Sequence, residues 1–176
     1  MNNISKKLWN TVSWVLVVCV AVLAFLLAGI RFIGITPYVV LSGSMEPSFH
    51  VGSLVYVKKT PPEKINVGDP ITFVLNNDLV LVTHRVVEVD TKNRRFYTKG
   101  DANDSADGAP VAFENLVGKA IFNIPNLGYF SNWIKNPPGL YIGISAGIIL
   151  LVLIILPDLL DKAAEADRKK AEHQSK

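Results

Sequence analysis

Two uncharged apolar runs bracket the middle of this chain, and they constrain its fold more than any other feature. Leu8 to Ile30 reads LWNTVSWVLVVCVAVLAFLLAGI, twenty-three residues without a charge. About 20 apolar residues suffice to cross the hydrocarbon core of a bilayer as a helix. A cleavable secretory signal has an apolar region of only about 7–15 residues, so this run is expected to be a retained anchor. The second run, Gly139 to Leu156, is introduced by Asn136-Pro137-Pro138 and closed by Pro157-Asp158. Its eighteen uncharged residues predict a second, shorter span with little tilt.

The chain is therefore expected to divide into a cytoplasmic N-terminus (1–7), a transmembrane helix (8–30), an extracytoplasmic domain (31–138), a transmembrane helix (139–157) and a cytoplasmic tail (158–176). Lys6 and Lys7 precede the first run and Arg31 alone follows it. Lys135 precedes the second, and the tail holds Lys162, Arg168, Lys169, Lys170 and Lys176. Cytoplasmic flanks carry the excess of Lys and Arg, so both termini are expected inside. The location implied is the cell membrane, multi-pass, or the endoplasmic reticulum membrane if the chain is eukaryotic.

The formal net charge of +3 does not point to nucleic acid, because residues 31–138 carry eleven basic and ten acidic side chains. The lipid bilayer is the partner that composition implies. Lys58-Lys59 and Arg94-Arg95 read as solvated strand or turn ends. The single cysteine, Cys19, lies in the first apolar run. That rules out an intrachain disulfide and thiol catalysis in the external domain. No cofactor and no metal site are expected. The Asp/Asn-rich stretch 101–108 lacks the final Glu of a twelve-residue calcium loop.

Between the spans the pattern is short and β-rich. Strands are expected over Ser53–Val57, Ile71–Leu75, Leu79–Val82 with His84–Val89, Arg95–Thr98 and Val117–Phe122. Turns are expected at Gly68-Asp69-Pro70, Asn76-Asn77-Asp78 and Asp90–Asn93, and Pro61-Pro62 forbids extension of the first strand. No helical period runs through 36–122. Hairpins suit a protein that binds an extended peptide, since an exposed strand edge offers main-chain hydrogen bonds to any sequence. Tyr129, Phe130 and Trp133, just before the second span, read as an interfacial aromatic belt.

Several residues could carry chemistry. Ser44, in Ser42-Gly43-Ser44-Met45-Glu46-Pro47, lies close to where the chain leaves the first span. A serine hydroxyl needs a base to take its proton as it attacks. Of the three histidines, His173 falls in the tail. His50 sits six residues after Ser44, and His84 follows a strongly β-patterned stretch that would hold an imidazole firmly, which makes it the better base. A carboxylate must then fix the tautomer and stabilise the imidazolium. Asp101, Asp104 and Asp107 all lie downstream of His84, and spacing alone does not choose among them. Gly43 is expected to let the chain turn without Cβ crowding.

The blocks Ser42-Gly43-Ser44-Met45-Glu46-Pro47, Gly68-Asp69-Pro70-Ile71, His84-Arg85-Val86-Val87 and Lys99-Gly100-Asp101-Ala102-Asn103, in this order, resemble the type I signal peptidases. Within that family they are similar to the ER-type branch of eukaryotes, archaea and some Gram-positive bacteria. The resemblance covers roughly residues 36–122. It implies a mainly β fold, a small signal-peptidase-like β domain flanked by two transmembrane helices. The activity implied is a serine endopeptidase that removes signal peptides from membrane-bound preproteins at small-x-small sites. In the common bacterial branch a lysine is the base where this chain has His84, so Lys58 and Lys99 become bystanders. The resemblance further implies Ser44 as nucleophile, His84 as base, Ser42 as an oxyanion donor, and Asp101 and Asp107 as the family's two aspartates. Asp107 is favoured as the histidine partner, and Asp101 as a residue that positions the loop. Association with the protein-export machinery is a further expectation of the resemblance.

The small side chains before the cut are expected to enter shallow apolar pockets near Ile35, Val39 and Leu81. Two other readings stand beside the general signal peptidase. One is a dedicated processing protease for a few exported proteins. The other is a noncatalytic membrane scaffold or chaperone for exported chains, which would leave Ser44, His84 and Asp107 idle together.

Overall fold

The computed structural model describes residues 3–75 and 80–174. The expected turn Asn76-Asn77-Asp78, with Leu79, lies outside the described residues. Two helices flank a β domain. The first, α1, spans Asn3–Leu27, and a 3-10 turn over Gly29–Ile33 leads into the first strand. The strands are β1 Ile35–Val39, β2 Leu54–Lys58, β3 Pro70–Leu75, β4 Val80–Asp90, β5 Arg95–Lys99, β6 Val111–Ala112 and β7 Leu116–Ile124. A short helix α2, Leu127–Lys135, precedes the long α3, Gly139–Gln174.

The strands form one antiparallel sheet in the order β1-β2-β7-β3-β4-β5-β6. The mainly β architecture is that expected from the alternating pattern. Two strands were not legible: Thr36-Pro37 weakens the strand signal of β1, and β6 has only two residues. The aromatic stretch before the second span lies on the helix α2, which buries Gly128 and Ser131 and leaves Tyr129 and Trp133 exposed.

Burial explains why Leu54–Val57 reads as a continuous apolar run. Leu54 and Tyr56 join Ile30 in one cluster, whereas Val55 and Val57 join Met45, Phe49 and Ala120 in another. Successive side chains of a strand point to opposite faces, so a strand covered on both sides needs apolar residues at every position. A third cluster, Ile65, Ile71, Phe73, Val86, Phe96, Val111 and Phe113, fills the space between β3, β4 and β5. The Tyr56 hydroxyl donates to the Leu26 carbonyl at 3.1 Å, which ties β2 to the last turn of α1.

The stretches Lys7–Leu27 and Gly139–Ala164 have mean hydropathies of 2.4 and 2.7 and are long enough to cross a membrane. Their large apolar side chains are widely exposed, Trp14 at 69% and Ile148 at 60% among them. A soluble core helix would bury such residues, and a lipid-facing one does not need to. The apolar run 8–30 is thus α-helical only to Leu27, and Pro157 does not end the second helix, which continues to Gln174. A proline inside a helix removes one donor and crowds one carbonyl. The alanine-rich, Lys- and Glu-bearing segment beyond it has high helix propensity and carries the helix onward.

Candidate active site

The Ser44 segment is a compact loop pinned by its own apolar residues. Met45 and Phe49 are buried against Val55, Val57 and Ala120. The amides of Glu46 and Phe49 donate to the carbonyls of Gly43 and Met45 at 3.0 and 2.8 Å. Ser44 is thereby held next to the buried Met45, with Phe49 anchoring the far side of the loop. Its Oγ lies 3.4 Å from Ser42 Oγ. The added Cβ of an alanine at Gly43 would meet Glu46 Cγ at an ordinary 3.5 Å. The chain thus turns at Gly43 without Cβ crowding, as expected, but an alanine would also fit, because the backbone there is not in the left-handed region.

His84 comes from β4, where it pairs with Ile71 of β3. It is 8% exposed, with the Phe73 ring edge-on at 6.3 Å between centroids. Its Nδ1 lies 2.6 Å from Asp107 Oδ2. The same carboxylate oxygen accepts from Thr98 Oγ1 at 2.6 Å, and the Asp107 amide donates to the Thr98 carbonyl at 2.8 Å. Thr98 thus positions Asp107 with both main chain and side chain. His84 Nε2 has no hydrogen-bond partner among the described residues. A carboxylate on Nδ1 favours the tautomer with its proton there and leaves Nε2 basic.

Asp101 does something else. Arg85 Nε and Nη2 grip its two oxygens at 2.8 and 2.6 Å, and Ser48 Oγ donates to it at 2.6 Å. Arg85 Nη1 also donates to the Gly68 carbonyl at 2.7 Å. A bulge after Val86 breaks the β4–β5 register at this point. Bulges re-aim side chains next to functional sites. The network joins three of the sequence blocks to Ser48, the residue just after the Ser42–Pro47 block, and Arg85 and Ser48 were not singled out beforehand. An arginine directly after the histidine, facing an Asp-rich loop, was the available signal.

The hydrogen bonds from Arg85 hold the Asp101 carboxyl below the usual carboxylate range, and the Ser48 hydroxyl adds to this against the opposing effect of burial. A group depressed in the folded state stabilises above its unfolded pKa of about 4 and loses that contribution as pH falls through its folded value. Acid unfolding of the wild type is therefore expected to include a steep loss below about pH 4. Asp101→Asn should unfold more readily at pH 7 and show a shallower acid limb, as read by circular dichroism in detergent. An unchanged acid limb would discount the network.

His50 sits on Glu46, its Nδ1 against Glu46 Oε2, while Glu46 Oε1 accepts from the Val51 amide at 3.3 Å. Among the described residues His50 forms no hydrogen bond with Ser44, Asp101 or Asp107. Asp104, in the same loop as the others, forms no hydrogen bond or ion pair with His84. The loop 100–107 reaches Ser44 through its backbone, the Ala102 amide donating to the Ser44 carbonyl at 2.9 Å. An alanine Cβ at Gly100 would stand 2.6 Å from that carbonyl oxygen and 2.7 Å from Asn103 Nδ2. Gly100→Ala is thus expected to push the Ser44 segment off the loop. Activity against a precursor should fall about tenfold or more, since roughly 1 Å misplacements at reacting groups can cost 10²-fold. Unaltered turnover would show that the Ser44 position tolerates the shift.

Ser42 and Ser44 line a cleft of about 470 Å³ together with Val39, Leu41, Met45 and Leu81. Of the three expected wall residues, Val39 and Leu81 are present and Ile35 is not. Ile35 shares a face of β1 with Val39 but sits at the other end of the strand, where it packs against Ile30, Leu54 and Tyr56. Among the described residues no cluster of three metal-ligating side chains occurs.

Residues 11–99 match the family described as signal peptidase, peptidase S26, and the chain belongs to this family. The match covers Ser42, Ser44 and His84 and stops before Asp101 and Asp107. The chain is 46% identical over 86 residues to signal peptidase I W of Bacillus subtilis (strain 168), covering 47% of this chain and 45% of that protein. It is 39% identical over 72 residues to the human signal peptidase complex catalytic subunit SEC11C, covering 39% and 38% of the two chains. A longer match, 29% identity over 126 residues, joins it to the signal peptidase complex catalytic subunit SEC11 of Plasmodium falciparum (isolate 3D7), covering 66% of this chain and 67% of that one. The chain thus spans less than half the length of the first two relatives.

Proposed function

We propose that this chain is a membrane-anchored serine endopeptidase of the ER-type branch that removes signal peptides from preproteins. In this reading Ser44 is the nucleophile, His84 the general base, Asp107 the carboxylate that orients it and Ser42 an oxyanion donor. Asp101, tied to Arg85 and Ser48, positions the loops without touching the substrate. The observation that carries the reading is the His84–Asp107 pair, with Nδ1 held at 2.6 Å and Nε2 unpaired, in a member of the signal peptidase family.

The steps follow from the chemistry of those groups. Ser44 Oγ attacks the scissile carbonyl carbon while its proton passes to His84 Nε2. Charge developing on the carbonyl oxygen is met by donors already aimed at it, for which the Ser44 amide and Ser42 hydroxyl are the candidates. Imidazolium His84, stabilised by Asp107, gives its proton to the departing amine as the C–N bond breaks. Water then attacks the acyl-serine ester as its proton passes to His84, which hands it to Ser44 Oγ as the C–O bond breaks and the new carboxylate leaves. In the structure the Ser44 hydroxyl faces Ser42 and forms no bond with His84. Substrate binding is the step expected to close that gap, as catalytic hydrogen bonds often tighten only in the Michaelis complex.

The apolar walls and modest size of the cleft suit small side chains at the first and third positions before the cut. β1 is the outer strand of the sheet and residues 80–84 of β4 pair only with β3, so extended main chain has two edges on which to add. The two apolar helices place enzyme and precursor in one membrane, which raises their effective concentration. Both termini lie in the cytoplasm on this reading, and the β domain works on the opposite face. Association with other export proteins is part of the same proposal, as two of the relatives are named as subunits of a complex.

The test is conversion of a membrane-inserted precursor carrying an Ala-x-Ala site by the purified full-length chain in detergent. One cut directly after the second alanine is expected. A folded protein that leaves the precursor intact would sink the protease reading and favour a scaffold. Depletion in cells separates the substrate ranges: many accumulating precursors mark a general peptidase, and one or two mark a dedicated one.

A further inference from the structure

The cleft carries a polar feature that hydrolysis leaves unused. Thr72 of β3 and Thr83 of β4 are register partners, with Oγ1 atoms 2.8 Å apart. Both line the cleft that Ser42 and Ser44 also line, and Thr72 is 1% exposed. Each hydroxyl has one proton to donate and two lone pairs. One proton bridges the pair, so the second has no acceptor among the described residues. Thr83 is only partly buried, so the spare proton of the pair can be turned toward the cleft, a donor that two valines of the same volume would not offer.

We propose that the Thr72–Thr83 pair is a specificity-determining donor, which offers its unspent O–H to an acceptor on one of the substrate's small side chains. The acceptor of the right size is a serine hydroxyl, so precursors with Ser in place of Ala at one of the two small positions are preferred. The inference rests on the cleft being the peptide-binding site of the protease proposed above. Main-chain carbonyls of an extended substrate are met by main chain along the strand edge, whereas the threonine side chains stand off the sheet and meet side chains. A net hydrogen bond of ordinary strength corresponds to about a three- to tenfold preference.

Binding isolates this effect from chemistry. Full-length Ser44→Ala protein in nanodiscs would be titrated with labelled peptides carrying Ala-x-Ala, Ser-x-Ala or Ala-x-Ser. One serine peptide should bind about three- to tenfold tighter than Ala-x-Ala, and the Thr72→Val/Thr83→Val double replacement should erase the difference. Both threonines are replaced together because removing one would leave the other hydroxyl buried without a partner. Thr83→Ser keeps the hydroxyl pair and should keep the preference. Equal binding of serine and alanine peptides, or a serine preference that survives the double replacement, overturns the assignment. If the Ser44-intact protein binds with the expected preference yet cuts none of the peptides, the protease reading fails and the donor assignment stands.

Discussion

Ser44→Ala is expected to abolish precursor cleavage while leaving the fold and membrane insertion intact. Ser44 is half-buried in the cleft lining and its hydroxyl forms, among the described residues, only the 3.4 Å contact with Ser42, so its loss costs little packing. The loop around it is held by Met45 and Phe49, which the substitution does not touch. Loss of a nucleophile in serine proteases lowers kcat by about 10⁶-fold, so no product should appear over hours. The measurement is conversion of an Ala-x-Ala precursor by purified variant and wild type in the same detergent, with thermal melting as the control for folding. Cleavage at the wild-type rate by a folded variant would remove Ser44 from the chemistry.

His84→Ala should be nearly as damaging, and His84→Lys should not rescue it. A lysine must be desolvated to be neutral at working pH, whereas this position presents the carboxylate of Asp107, which would keep an ammonium charged. Asp107→Asn is expected to lower kcat by on the order of 10⁴-fold with little change in KM, because the wrong imidazole tautomer would then face the serine. Asp101→Asn should act more evenly on stability and turnover, since its partners are Arg85 and Ser48. His50→Ala is expected to leave most activity, as His50 contacts Glu46 at the loop surface. Retention of activity in His84→Ala together with its loss in His50→Ala would reverse the two histidines. A larger kcat loss in Asp101→Asn than in Asp107→Asn would reverse the two aspartates.

Much of the fold was legible because it rests on local pattern. Continuous apolar stretches announced the two long helices, and alternation at β3, β4 and β5 marked strands whose turns carry Gly, Asp and Asn. The family blocks were equally visible, since their residues sit close together in sequence. What stayed hidden has a common cause. β1 carries Thr36-Pro37 rather than an alternating pattern, β6 is too short to have a period, and the helix α2 was masked by aromatics that suit an interface as well as a helix. Pro157 was a reasonable stop signal that the propensity of the following segment overrode.

The sequence by itself determined the kinds of elements, their order and the inventory of reactive side chains, because these depend on neighbours a few residues apart. Tertiary structure alone decided which of those side chains meet. β7 enters the sheet between β2 and β3, a pairing between segments some sixty residues apart that no local pattern encodes. The bulge in β4 and the anchoring of Asp107 on Thr98 give that carboxylate to His84, while Arg85 claims Asp101 with two hydrogen bonds. By spacing the three aspartates of the loop were alike, and strand register, bulge and hydrogen bonds set Asp107 against His84 and Asp101 against Arg85.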